Sequence, residues 1–295
     1  MYHPRRPSHS EFLPVRRLQY HLRHWGEENA PAIVMLHGWM DVSASFQFVV
    51  DALRQSWHVI APDWRGYGLT ERSPADVYWF SDYLADLDAI LDRLSPAAPV
   101  RLVGHSMGAN IALLYAGVRP ERVAGVVNLE GFGLRGSGPD EAPGRYARWL
   151  SELRERPALK TYSSLAEVAA RLRKTNPRLA PDRADFLAVH WAEELPAGDT
   201  YGRWALRADP AHKIVHPTLY RSEEVLACWR RIAAPVLWVQ GKESATLRQL
   251  GIDDLEDRIG HIPRVQRVDL GDAGHMLHHD QPERVASLIE DFFQS

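Results

Sequence analysis

The chain alternates between two hydrophobic rhythms. Short, mostly apolar runs at Ala32–Leu36 (AIVML), His58–Pro62 (HVIAP), Val100–Val103, Val123–Leu129, Pro235–Val239 (PVLWV) and Val265–Leu270 have the length and β-branched content of buried strands. Between them the period lengthens to that of a helix. Ser43–Gln55 repeats through Phe46, Val49, Val50 and Leu53, and Phe80–Leu94 through Leu84, Leu87, Ile90, Leu91 and Leu94. Met107–Val118 repeats through Met107, Ile111, Leu114, Tyr115 and Val118. Pro282 opens a closing helix that runs to Phe293, with Val285, Leu288, Ile289 and Phe292 facing inward. Strands that alternate with helices predict an α/β fold, a mostly parallel sheet with helices on both faces. Val15–Trp25 alternates as a hairpin or two edge strands would, and polar Met1–Glu11 reads as a mobile tail.

The alternation stops after Val123–Leu129. Five glycines and two prolines within Gly131–Gly144 read as a hinge or linker. From there to Pro217 the pattern is helical, without a convincing buried strand. Tyr146, Trp149, Leu150 and Leu153 share one helical face, Ser164-Leu165-Ala166-Glu167 is a capping box, and a further helix is expected over Pro181–Glu194. Val225, Cys228, Trp229 and Ile232 mark the helix that returns to the sheet. The expected organisation is a core over residues 1–134, a helical cap over 135–217 inserted after the sixth strand, and the rest of the core over 218–295. An insert that leaves the carboxyl edge of a parallel sheet lies over the ligand crevice.

The densest chemical signal sits inside the Val100–Ala116 run. Gly104-His105-Ser106-Met107-Gly108 joins a strand directly to a helix. Such a turn strains the central residue and lifts its side chain clear of the backbone at the carboxyl edge of the sheet. Ser106 is therefore a candidate nucleophile, but a hydroxyl needs a base to take its proton. His275, in Asp272-Ala273-Gly274-His275-Met276, lies in the last strand-to-helix loop, at the same sheet edge. A third, acidic member should orient the imidazole. Glu130, directly after the strand Val123–Leu129, is preferred. Glu243 is the alternative, in Gly241-Lys242-Glu243-Ser244, where a serine occupies the place of the expected aspartate. The backbone N–H groups of Met107 and Trp39 are the expected oxyanion donors. His37, His105, Phe132, Trp149, Trp191 and Trp204 are candidates for the substrate pocket.

Composition narrows the readings. With 295 residues, 45% hydrophobic and 25% charged, the chain has the profile of a soluble globular protein. A net charge of −3 and no basic stripe interleaved with aromatics imply no nucleic-acid partner. No apolar run is long enough to span a bilayer, and no secretory signal opens the chain. The single Cys228 excludes an intramolecular disulfide and fits a cytoplasmic setting. His278, His279 and Asp280 are close together, but no matching ligand cluster stands out upstream, so no metal is expected. No dinucleotide motif follows the first strand, so no cofactor is expected either. The oligomeric state stays open between monomer and homodimer.

His37-Gly38-Trp39, Asp63-x-Arg65-Gly66-x-Gly68, the Ser106 pentapeptide and Gly274-His275, in this order, resemble the α/β-hydrolase superfamily. The insert and the missing late aspartate are similar to the serine-hydrolase-like (kraken-related) proteins. An acid after the sixth strand is also similar to haloalkane dehalogenases and some epoxide hydrolases, whose aspartate nucleophile is here Ser106. The resemblance implies a serine hydrolase acting on small or medium carboxylic esters through a seryl intermediate. Thioester, lactone or carbon–carbon bond hydrolysis at the same residues is the alternative. A non-catalytic binding protein that keeps the fold is a third reading.

Overall fold

The structure, a computed structural model, describes residues 2–196 and 202–294. Strands β1 (Ser8–Val15) and β2 (Leu18–Trp25) form an antiparallel hairpin that turns at Arg16, which has a φ of 55°. Residues 2–11 are therefore not the mobile tail that the polarity of Met1–Glu11 suggests; Met1 lies outside the described residues. Backbone pairing with β2 holds Ser8–Glu11, and the Arg6 guanidinium donates to the carbonyl oxygens of Leu53 and Gln55. The Tyr2 hydroxyl donates to Asp51 Oδ2 at 2.7 Å.

β3 (Ala32–Leu36) leads through a 3₁₀ turn at Ser43–Phe46 into α1 (Gln47–Ala52), so the single helix expected there is divided. β4 (His58–Pro62), α2 (Phe80–Leu94), β5 (Val100–His105), α3 (Met107–Val118) and β6 (Val123–Leu129) follow within two residues of their expected ends. The next segment leaves the sheet. It holds α4 (Ala142–Glu155), β7 (Thr161–Tyr162), α5 (Leu165–Thr175), α6 (Pro181–Trp191), β8 (Ala192–Glu194) and β9 (Trp204–Leu206). The small antiparallel sheet β7-β9-β8 corrects the expectation of helices alone. Strands of two or three residues are too short to display a period of two. α7 (Ser222–Trp229), β10 (Val236–Gly241), α8 (Thr246–Leu250), α9 (Leu255–Gly260), β11 (Val265–Leu270), α10 (Leu277–Asp280) and α11 (Pro282–Gln294) complete the chain.

The main sheet has the order β1-β2-β4-β3-β5-β6-β10-β11. Every pair from β4 to β11 is parallel, and only the β1–β2 and β2–β4 pairs run antiparallel. Two apolar layers cover it. One packs Ile111, Tyr115, Trp229 and Ile259 of the helices onto Val34, Leu102 and Val126. The other packs Val49, Val50, Val285 and Ile289 onto Ile33, Val103 and Val239. The inserted segment has its own core around Val168, Leu172 and Leu187. Helix α4 departs from this pattern: it buries no residue, and Tyr146 and Leu150 are 51% and 48% exposed. Its amphipathic spacing shows that a face exists but not what covers it.

Candidate active site

Ser106 sits between β5 and α3 with φ 51° and ψ −115°. A serine adopts this conformation only where its surroundings force it. The two flanking glycines permit the turn. A Cβ on Gly104 would lie 2.4 Å from Ala109 Cα, and one on Gly108 only 2.1 Å from the Leu36 carbonyl oxygen. Strand and helix therefore close on each other until only the serine side chain protrudes.

The geometry brings three sequence-expected residues into one relay. His275 Nε2 lies 3.1 Å from Ser106 Oγ, and His275 Nδ1 lies 3.1 Å from Glu130 Oε2. The Nδ1–H donates to the carboxylate, so the Nε2 lone pair faces the serine hydroxyl. Glu130 is 1% exposed and takes a φ of 61°. Its Oε1 accepts the Gly241 N–H at 2.7 Å, and its Oε2 accepts the Ser244 hydroxyl at 2.5 Å. The serine that replaces the expected late aspartate thus touches the carboxylate that takes over its contact with the imidazole. Glu243 lies outside the relay. It is exposed and accepts the Ala273 N–H at 2.7 Å, and this bond and that from Asp272 outweigh desolvation and lower its pKa.

Met107 opens α3, and its N–H is one of the free donors of a helix start. The His37–Trp39 loop runs beside it: a Cβ on Gly38 would lie 3.3 Å from Ser106 Cβ. A cavity of about 450 Å³ opens at Ser106. Trp39, Met107 and Phe132 line it, together with Ser106, Glu130 and His275. The other pocket candidates fall elsewhere. His37 is buried beneath the loop, where its Nδ1–H donates to the Gly38 carbonyl and its Nε2 accepts the Trp64 N–H at 2.9 Å. His105 is buried behind Ser106, and its Nε2–H donates to the His275 carbonyl at 2.8 Å. Trp191 lines a neighbouring cavity of about 290 Å³ that shares His275 and Thr246 with the first. Trp204 packs on the insert's own core, and Trp149 is half-buried away from both cavities. Aromatic type alone did not distinguish a wall from a packing position; the helix face or strand side decides it.

Several wall residues were not singled out by sequence. Tyr78, Trp79 and Phe80 come from the start of α2, and Arg145, Arg148 and His212 from the inserted segment. The three-residue spacing of Arg145 and Arg148 was the readable signal, since it puts both on one helical face. Arg148 pairs with Glu152 at 2.6 Å. Arg145 donates to the His216 carbonyl and has no carboxylate in ion-pair range among the described residues. Asp63 and Arg65 hold the architecture. Asp63 accepts the Ser43 and Leu69 N–H groups and His21 Nδ1, while Arg65 pairs with buried Asp86 at 2.7 Å.

Burial leaves several imidazoles neutral. Desolvation lowers His37 to about 4, and His212 and His279 to about 3. In the unfolded chain each titrates near 6.5, so the unfolded state gains protons first. Their contribution is fully present above pH 6.5 and drains away as pH falls toward 4. Together the three remove about 4 kcal/mol per pH unit in that window. Thermal melts should therefore show Tm falling steeply between pH 6 and 4.5; a flat Tm there would refute the assignment.

Residues 31–282 match the family described as alpha/beta hydrolase fold. The chain belongs to that family. The hydrolase is 27% identical to "Serine hydrolase-like protein" of Danio rerio, an alignment covering 98% of this chain and 90% of the relative. It is 25% identical to "Epoxide hydrolase 2" of Siraitia grosvenorii over 90% of this chain and 92% of that one. Among solved structures it is similar to "Thioesterase Domain From Curacin Biosynthetic Pathway", with a TM-score of 0.86, 26% identity, and coverage of 97% and 99% of the two chains. No helix among the described residues is long and apolar enough to cross a membrane.

Proposed function

We propose that this hydrolase cleaves small or medium carboxylic esters through a seryl acyl-enzyme. The observation that carries the reading is the unbroken relay from Ser106 Oγ through His275 to Glu130, with both contacts at 3.1 Å. His275 Nε2 takes the hydroxyl proton as Ser106 Oγ attacks the ester carbonyl carbon. The Met107 and Trp39 N–H groups receive the developing oxyanion. Glu130 keeps Nδ1 protonated and steadies the imidazolium. The imidazolium then protonates the departing alkoxide. Water, deprotonated by the same nitrogen, attacks the acyl carbon and releases the acid and the free serine.

Residues 135–217 act as the cap in this reading, because Arg145 and His212 of that segment wall the cavity at Ser106. The unpaired Arg145 favours substrates that carry a carboxylate or other anionic group away from the scissile bond. The single cysteine fits work in the cytoplasm on a small-molecule substrate. Thioester hydrolysis is the second reading, favoured by the 26% identity to the thioesterase domain over 97% of the chain. Position 106 being serine removes the carboxylate that an alkyl-enzyme route to epoxide opening needs.

A fluorophosphonate probe tests the mechanism. Intact protein mass spectrometry should show a single adduct, mapped by peptide analysis to Ser106. A folded protein that forms no adduct would overturn the seryl route. Turnover of paired chromogenic oxoesters and thioesters, with and without a distal carboxylate, then ranks the substrate classes.

A further inference from the structure

The relay leaves one buried polar cluster without a task. Asp41, His105 and His278 each offer a ligand atom, and these atoms all lie within 4.8 Å of one another. The three residues are 3%, 2% and 0% exposed. Asp41 Oδ2, His105 Nδ1 and both ring nitrogens of His278 have no hydrogen-bond partner among the described residues. Leaving such groups buried without a partner forfeits the hydrogen bonds they would make to water in the unfolded chain. Three of these orphaned atoms, one from each residue, face one another and need a common occupant.

The surrounding hydrogen bonds define what that occupant must be. His105 commits its Nε2–H to the His275 carbonyl at 2.8 Å, so its Nδ1 presents a lone pair. Asp41 Oδ1 is already held by the Val42 N–H at 2.7 Å and by the Ser45 hydroxyl, which fixes Oδ2 toward the cluster. An imidazole lone pair, a carboxylate oxygen and a second imidazole converge. Two nitrogens and one oxygen match a borderline divalent transition cation and do not suit calcium or magnesium, which take oxygen shells. The outer contacts match as well. A ligating histidine usually donates its other N–H to a carbonyl, and a ligating carboxylate is itself hydrogen-bonded. His105 and Asp41 both do so here.

We propose that Asp41, His105 and His278 form a buried site for one zinc-like divalent cation behind the Ser106 turn, with a water as the fourth ligand. His278 thus has the upstream partners that were not apparent in the sequence. They come from the loop after β3 and the end of β5, which the fold brings to the loop bearing His275. His105 precedes Ser106 and its ring holds the His275 backbone, so an ion on Nδ1 fixes both neighbours without touching substrate. The inference stands on these three side chains and is independent of the ester reading.

The test uses the full-length, tag-free chain, stripped with a chelator and titrated with Co²⁺. Visible d–d bands of tetrahedral strength should grow to about one equivalent and vanish when Zn²⁺ is added. Zn²⁺ should also raise Tm. His278→Gln removes a ligand and should weaken Co²⁺ binding by more than the roughly 100-fold that loss of an outer contact costs, while the circular dichroism spectrum is unchanged. If that variant fails to fold, Ser45→Ala, which loosens Asp41, should still lower the affinity. A wild-type protein with no bands and no Tm rise would overturn the proposal and assign the cluster to a buried water. Bands that persist undiminished in a folded His278→Gln protein would overturn it as well, by placing the metal elsewhere.

Discussion

Ser106→Ala is expected to lower kcat for a chromogenic ester by about 10⁶-fold, because it removes the hydroxyl that His275 Nε2 meets at 3.1 Å. The fold should not suffer. The Ser106 side chain makes no capping hydrogen bond to α3, and alanine tolerates the φ of 51° no worse than serine. The variant should therefore melt like the parent while hydrolysing ester at the background rate. Retention of more than a hundredth of the activity, in protein free of parent contamination, would remove Ser106 from the mechanism. Ser106→Gly separates the two properties further. Glycine accepts positive φ without strain, so that variant should be equally inactive but more stable than the parent.

Glu130→Gln has the second largest expected effect, a loss of about 10⁴-fold in kcat with a melting temperature close to the parent. An amide can present its N–H₂ to His275 Nδ1, which selects the wrong tautomer and points a proton at Ser106. Its other end can still accept from Gly241 N–H, so the loop geometry survives. Glu243→Gln is the matched control and should leave the rate essentially unchanged, since the Glu243 carboxylate accepts from the Asp272 and Ala273 backbone outside the relay. Equal losses in the two variants would overturn the choice of acid.

How much of this was readable follows from where each signal lives. The parallel core was legible because β3, β4, β5, β6 and β10 are buried on both faces, and a doubly buried strand writes itself as an apolar run. Ser106 and His275 were legible because each ends one strand and precedes one helix, which fixes them at a common edge. Glu130 was a preference only. What brings it to His275 is its own positive φ and the donors at Gly241 and Ser244, and none of these is a local property of its strand. The inserted segment was read worst. Its short strands carry no period, and the helix over Ala142–Glu155 advertises an apolar face on which Tyr146 and Leu150 stay exposed. The N-terminal residues misled for the opposite reason: they are polar in composition but held by backbone pairing and by Asp51.

That N-terminal anchorage has a mechanical consequence. Tyr2 stacks edge-on against both Phe48 and Phe186, at 4.9 and 5.7 Å, and its N–H donates to the Asp182 carbonyl. Phe48 belongs to the sheet-bound body and Phe186 to the inserted segment. Tyr2 therefore acts as a staple that ties the inserted segment to the sheet-bound body. A fusion partner attached in front of Tyr2 would pry at that staple, whereas one placed after the last helix would leave it intact.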